Sequence, residues 1–191
     1  ITVDDVVDVI RHQADHSVLS MAGLDEDDDM FAPVFVSARR RSIWLGVNLA
    51  TAFIAAGVAG LFKSTLERVV MLAILMPVVP SMGGIAGSQT LILITRGIAL
   101  GQVESSNARW LLSKEFGVGL LNGLGWACVV AAVTMWWFQT WKIGLVIAIA
   151  LAVNLICAAI AGFTIPLTLK KLKIDSALAG GVVLTTITDA V

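Results

Sequence analysis

Charge is scarce in this chain: 14% of its 191 residues are Asp, Glu, Lys or Arg, against 58% hydrophobic residues. Soluble domains carry roughly 25% charged and 45–50% apolar residues, so most positions here belong in a bilayer. Cysteine occurs only twice, and Cys128 and Cys157 sit in separate apolar runs without a CxxC. That excludes a disulfide framework and reads as two packing thiols. Histidine also occurs twice, as His12 and His16 in the polar amino-terminal stretch, so the apolar remainder has no imidazole. Zinc catalysis and soft-metal binding need ligands of that kind. The residues between the two histidines do not form the HExxH pattern, and both read as exposed. No basic region precedes a short apolar stretch at the start of the chain, so a signal peptide is not expected.

The net charge of −1 conceals a strong asymmetry. Residues 1–36 hold nine acids and one base, and residues 37–191 hold twelve bases and five acids. An acidic cytoplasmic arm (1–36) is therefore expected to precede a basic transmembrane domain (37–191), the two attracting each other or competing for cations. Within the arm, ITVDDVVDVI suits a strand running into a helix, and the amphipathic pattern continues to Leu24. The acidic run Asp25–Asp29 follows. It is either a solvated loop or a weak divalent-cation sensor, with Asp25 and Asp28 as candidate ligands.

Five apolar segments follow, near Ile43–Phe62, Val69–Ile94, Phe116–Phe138, Ile143–Leu169 and Ala177–Val191. The pattern predicts an all-α polytopic membrane protein with five transmembrane helices per protomer. The first segment would extend about 30 Å at 1.5 Å per residue, enough to cross. The fifth covers about 15 residues of the ~20 a span needs, so it reads as truncated in this chain. If the spans alternate, nine basic residues, from Arg39–Arg41 to Lys173, fall on one side and Lys63, Arg68 and Lys142 on the other. That asymmetry places the amino terminus in the cytoplasm and the chain in a plasma or inner membrane, as a multi-pass protein in contact with lipid. Trp44, Trp136, Trp137 and Trp141 fall near span ends, as an aromatic belt requires.

The second segment contains MPVVPSMGGIAGSQ, two prolines and three glycines inside a membrane-length run. A helix broken there would free backbone carbonyls around Met82–Gly84, and unpaired peptide groups must line a cavity or pack on protein. Asp189, after Thr185, Thr186 and Thr188, is the only acid deep in a predicted span. A carboxylate at such depth costs about 2.5–3.5 kcal/mol on insertion scales and usually faces a pore, a partner or an ion. Mg²⁺ is hard, prefers oxygen and keeps much of its water, so one or two carboxylates with hydroxyls and carbonyls are enough. Asp189, Thr185, Ser88, Gln89 and Gly84 are therefore the candidate metal residues. Met82, Gly83, Gly87, Thr186 and Asn154 are candidate pore-lining positions. Asn154 also has the plainer reading of an interhelical hydrogen bond. Glu115, at the start of the third span, reads either as a solvated helix-terminal acid or as a group at the cytoplasmic mouth of the pathway. Gly119 and Gly123 form a GxxxG pair suited to close helix packing, within the protomer or across a dimer.

Four motifs, in this order and spacing, resemble the MgtE family of magnesium channels, which is related to a group of eukaryotic solute carriers. They are PVVPSMGGIAGSQ with TRGIALGQ, KEFGVGLLNG, IPLTLKKLKIDSALA and the terminal TTITDAV. The resemblance implies a homodimer with a pore along the dimer axis, passing hydrated Mg²⁺ held by the Asp189 carboxylates of both copies. Where many members read GGNxGNQ, this chain has Ile85 and Ser88 in place of the two asparagines. The resemblance also makes residues 1–10 the tail of a CBS region and residues 11–24 a connecting helix. Mn²⁺ and other divalent cations are further candidate substrates, and nothing points to nucleic acid.

Three functional classes compete. A magnesium channel or transporter leads, with a Na⁺- or H⁺-coupled divalent cation exchanger using the same Asp189 as the alternative. A membrane scaffold for a soluble domain would need a continuous second helix and no ion. An intramembrane enzyme is not expected, because aspartyl catalysis needs paired carboxylates and only Asp189 is deep.

Overall fold

Pro33 sets the first helix boundary: its carbonyl accepts the N–H groups of Val36 and Ser37 at 3.0 and 3.2 Å, and its ψ of 141° is extended. The computed structural model describes residues 31, 33–104, 106–174 and 176–191. The expectations on residues 1–30, including Asp25, Asp28, His12 and His16, lie outside the described residues. From Pro33 onward the order is α1 (Val34–Gly60), α2 (Lys63–Arg68), α3 (Val70–Leu75), α4 (Val78–Ala99), α5 (Ala108–Phe138), α6 (Trp141–Lys171) and α7 (Ser176–Ala190). Every regular element among the described residues is a helix.

Among the described residues four runs are long and apolar enough to cross a membrane: Val34–Gly60, Val70–Ala99, Ala108–Phe138 and Trp141–Lys171. They coincide with the first four apolar segments and reach beyond several of their ends. Arg39–Arg41 lie within α1 rather than ahead of it, because straight-chain arginines extend a helix readily. The fifth segment is α7, 15 residues long.

The interruption of the second segment differs from expectation. It falls at Met76–Pro77, between α3 and α4, and α4 runs without a break through Gly83, Gly84 and Gly87. The expected release of carbonyls around Met82–Gly84 is therefore overturned. The reason is positional: Pro77 caps α4 and Pro80 lies in its first turn, where a missing N–H costs nothing. The carbonyls that lose their i+4 amide donor are instead those of Ala73 and Met76, because the residues four places on are these prolines.

α6 is the centre of the assembly. It packs on α3, α4, α5 and α7, and Leu151, Leu155, Ala158 and Phe163 along it are buried. Small residues allow the close approach. A Cβ on Gly119 would meet the Ala159 Cβ at 2.8 Å, one on Gly123 would meet the Ala152 carbonyl oxygen at 3.2 Å, and one on Gly144 would meet the Ala131 carbonyl oxygen at 3.1 Å. The GxxxG pair thus serves α5–α6 packing within the chain. Leu91 of α4, Ala161, Ile165 and Leu169 of α6 and Leu184 of α7 form one apolar core. α1 packs chiefly on α7, and none of its residues is buried.

Candidate functional site

α4, α6 and α7 converge around two glycines. A Cβ on Gly83 would overlap the Oδ1 of Asn154, and one on Gly87 would come within 2.7 Å of Leu184 Cδ1. The absence of side chains at these two positions lets α4 lie against α6 and α7 together. A Cβ on Gly84 would stand 4.0 Å from Thr188 Oγ1. Asn154 is 1% exposed, and its Nδ2 donates to the Thr188 carbonyl oxygen at 2.9 Å. That bond ties α6 to α7 one residue before Asp189, which favours the interhelical reading of Asn154. Its Oδ1 is buried without a hydrogen-bond partner among the described residues.

Asp189 itself is exposed on this single chain. It lines a groove of about 460 Å³ with Asn154, Thr188, Val79, Pro80, Val58 and Ala59 at the end of α1, and Phe62 just after it. Thr185, one turn earlier on α7, is also exposed and shares its face by the i, i+4 relation. The threonine hydroxyls are held by their own helix. Thr185 donates to Gly181 O at 2.9 Å, Thr186 to Val182 O at 2.7 Å, and Thr188 to Thr185 O at 3.1 Å. With their protons used in this way, the hydroxyls present lone pairs, the polarity a cation or its water requires.

On α4, Ser81, Ile85, Ser88 and Ile92 form an exposed stripe, whereas Gly83, Gly87, Thr90 and Leu91 face inward. Met82 is half-buried. The structure does not bring Gln89 to Asp189. Gln89 lines a second groove, of about 240 Å³, with Thr90, Lys114, Glu115 and Asn122.

Glu115 departs from the expectation of a solvated helix-terminal acid. It is 4% exposed, well inside α5. Thr90 Oγ1 donates to its Oε2 at 3.1 Å, and Lys114 Nζ stands 3.8 Å from its Oε1. Thr90 was not singled out from the sequence, since its partner lies 25 residues away. One signal was available: Glu115, Gly119, Gly123 and Ala127 repeat every four residues, and that stripe is the buried face of α5.

Among the described residues no three His, Cys, Asp or Glu side chains gather as a metal cluster. Among the described residues α7 presents one exposed carboxylate, Asp189, with the Thr185 hydroxyl on the same face. That donor set suits a hard cation retaining its water rather than a stripped ion in a closed cage.

Residues 76–191 match the family model described as MgtE, divalent cation transporter. Over 99% of its length the chain is 32% identical to the magnesium transporter MgtE of Bacillus subtilis (strain 168). It is 29% identical, again over 99% of its length, to the magnesium transporters MgtE of Enterococcus faecalis and of Thermus thermophilus. The chain spans about 42% of the length of each of these relatives.

Proposed function

The chain belongs to the MgtE family of divalent cation transporters, and from that premise we propose that it carries Mg²⁺ across a membrane as a water-clad ion. The observation that carries this reading is Asp189, an exposed carboxylate with Thr185 on the same face, on a body built around four long, predominantly apolar helices. Hydrocarbon does not tolerate an exposed carboxylate, so a second surface or water must meet it. A second copy of the chain related by a two-fold axis would supply both. It would set two carboxylates across a wet gap, the count that hydrated Mg²⁺ usually takes. The relatives' printed names, each a magnesium transporter, support the same substrate.

In this mechanism the ion keeps its inner water shell. Asp189 accepts hydrogen bonds from those waters, and Thr185 and Ser88 extend the polar track with hydroxyl oxygens. The carbonyls of Met82–Gly84 remain in the α4 ladder and offer only their second lone pairs. Selectivity for hard cations follows from an all-oxygen lining without thiolate or imidazole. The split of bases, nine against three, supports an amino terminus on the cytoplasmic side. Reagent access to Arg41→Cys from that side alone would check it.

The direct test is Mg²⁺ uptake into proteoliposomes. Asp189→Asn keeps the size and removes the charge, and is expected to reduce flux to the level of empty vesicles. Uptake equal to the unaltered protein would remove Asp189 from the pathway.

A further inference from the structure

Thr90 and Glu115 have no part in the pathway described above, yet both are buried, at 6% and 4% exposure. Their hydrogen bond joins α4 to α5, two helices that barely meet elsewhere because α6 lies between them. α4 is held at the same level from its other neighbour. A Cβ on Gly162 of α6 would approach the Gly87 carbonyl oxygen at 2.6 Å and Thr90 Cβ at 3.0 Å. Thr90 therefore sits at a close α4–α6 approach while its hydroxyl reaches across to α5.

Thr90 and Ser88 are two residues apart, which is about 200° around a helix of 3.6 residues per turn. The bonded residue and the exposed stripe of Ser81, Ile85, Ser88 and Ile92 accordingly occupy opposite sides of α4. A tie on one side fixes where the other side points. We propose that Thr90 and Glu115 are a positioning pair that sets the rotation of α4 about its own axis and so holds the Ser88 face toward the ion pathway. The inference rests on the reading that this face lines the pathway.

Within this proposal the groove around the pair acts as a joint between α4 and α5. Lys114, 3.8 Å from Glu115 Oε1, already supplies the positive charge that a buried carboxylate would otherwise draw from a metal. The other carboxylate oxygen, Oε2, is the one that receives the Thr90 hydroxyl.

The test uses the full chain in proteoliposomes, with Cys128→Ser and Cys157→Ser as background and single substitutions Ile85→Cys, Ser88→Cys or Ile92→Cys. Labelling by a membrane-impermeant thiol reagent is compared with and without a change to the pair. Thr90→Val and Glu115→Leu each break the bond and are expected to change the relative labelling rates among the three positions by about fivefold, the weight of one ordinary hydrogen bond. Thr90→Ser and Glu115→Gln keep a donor and an acceptor and are expected to retain the original pattern within about twofold. A pattern unaltered by Thr90→Val and Glu115→Leu, including no labelling anywhere, overturns the proposal. So does an equal rise at all three positions, which reports unfolding rather than rotation. Failure of the unaltered protein to take up Mg²⁺ would strike the transport reading instead, and is recorded in a separate flux measurement.

Discussion

At Gly83 the space a methyl group would need is filled by the amide oxygen of Asn154, whose nitrogen holds the carbonyl of Thr188. Three helices meet through these three residues, and Asp189 is the next residue along. A methyl group at position 83 must push Asn154 aside, and with it the turn that aims Asp189. Gly83→Ala is therefore expected to lower stability by about 1–3 kcal/mol, the usual cost of overpacking, and to reduce Mg²⁺ flux as well. Denaturation in detergent together with vesicle uptake would check both, and a fully stable, fully active variant would refute the packing account. Part of this was legible beforehand. Asp189 stood out as the lone deep acid, and the three glycines stood out as a cluster. Their role was misread, because a glycine written in a sequence looks the same whether it breaks a helix or makes room for a neighbour. Only the position of Asn154, on a helix some seventy residues away, decides between the two. The solvated reading of Glu115 fails for a similar reason: its partner Thr90 is distant in the chain, and burial is invisible from a position near a helix start.

Among the elements, the end of α5 and both ends of α6 follow from long apolar runs to within about two residues, whereas α5 starts at Ala108, ahead of the apolar run from Phe116. The α5–α6 pairing follows from the two-residue link at Gln139 and Thr140. Gln139 ends α5 in the left-handed region at φ 51°, with its N–H bonded to Met135 O at 2.9 Å. α4 was the harder element. Prolines at its cap and first turn initiate a helix, whereas the same residues a turn later would have broken it. Close packing along α5 gives a paired prediction. A Cβ on Gly119 would stand 2.8 Å from the Ala159 Cβ, whereas nothing lies within 4 Å of a Cβ on Gly117. Gly119→Ala is expected to cost about 1–3 kcal/mol, and Gly117→Ala to change stability by less than about 0.5 kcal/mol. Equal effects, measured by denaturant or thermal unfolding in the same detergent, would mean that α5 and α6 do not meet through this stripe.

For the molecule as a whole, one chain leaves much unmatched: α1 with no buried residue, the Ser81–Ile92 stripe of α4, and a carboxylate on α7. The net asymmetry of charge, acidic before residue 37 and basic after it, was plain in the sequence. Assembly was not, since which face of a helix meets a partner depends on contacts that a single chain does not contain. In the proposed assembly a two-fold axis would join these loose ends by bringing the Asp189 side chains of two copies to one hydrated ion. Crystals of the protein grown with Mn²⁺ would test this most directly through anomalous scattering. The account predicts a peak on the two-fold axis between the two Asp189 carboxylates, about 4 Å from their oxygens, the distance set by one metal-bound water and one hydrogen bond. Asp189 side chains directed at lipid, with no peak between them, would contradict it.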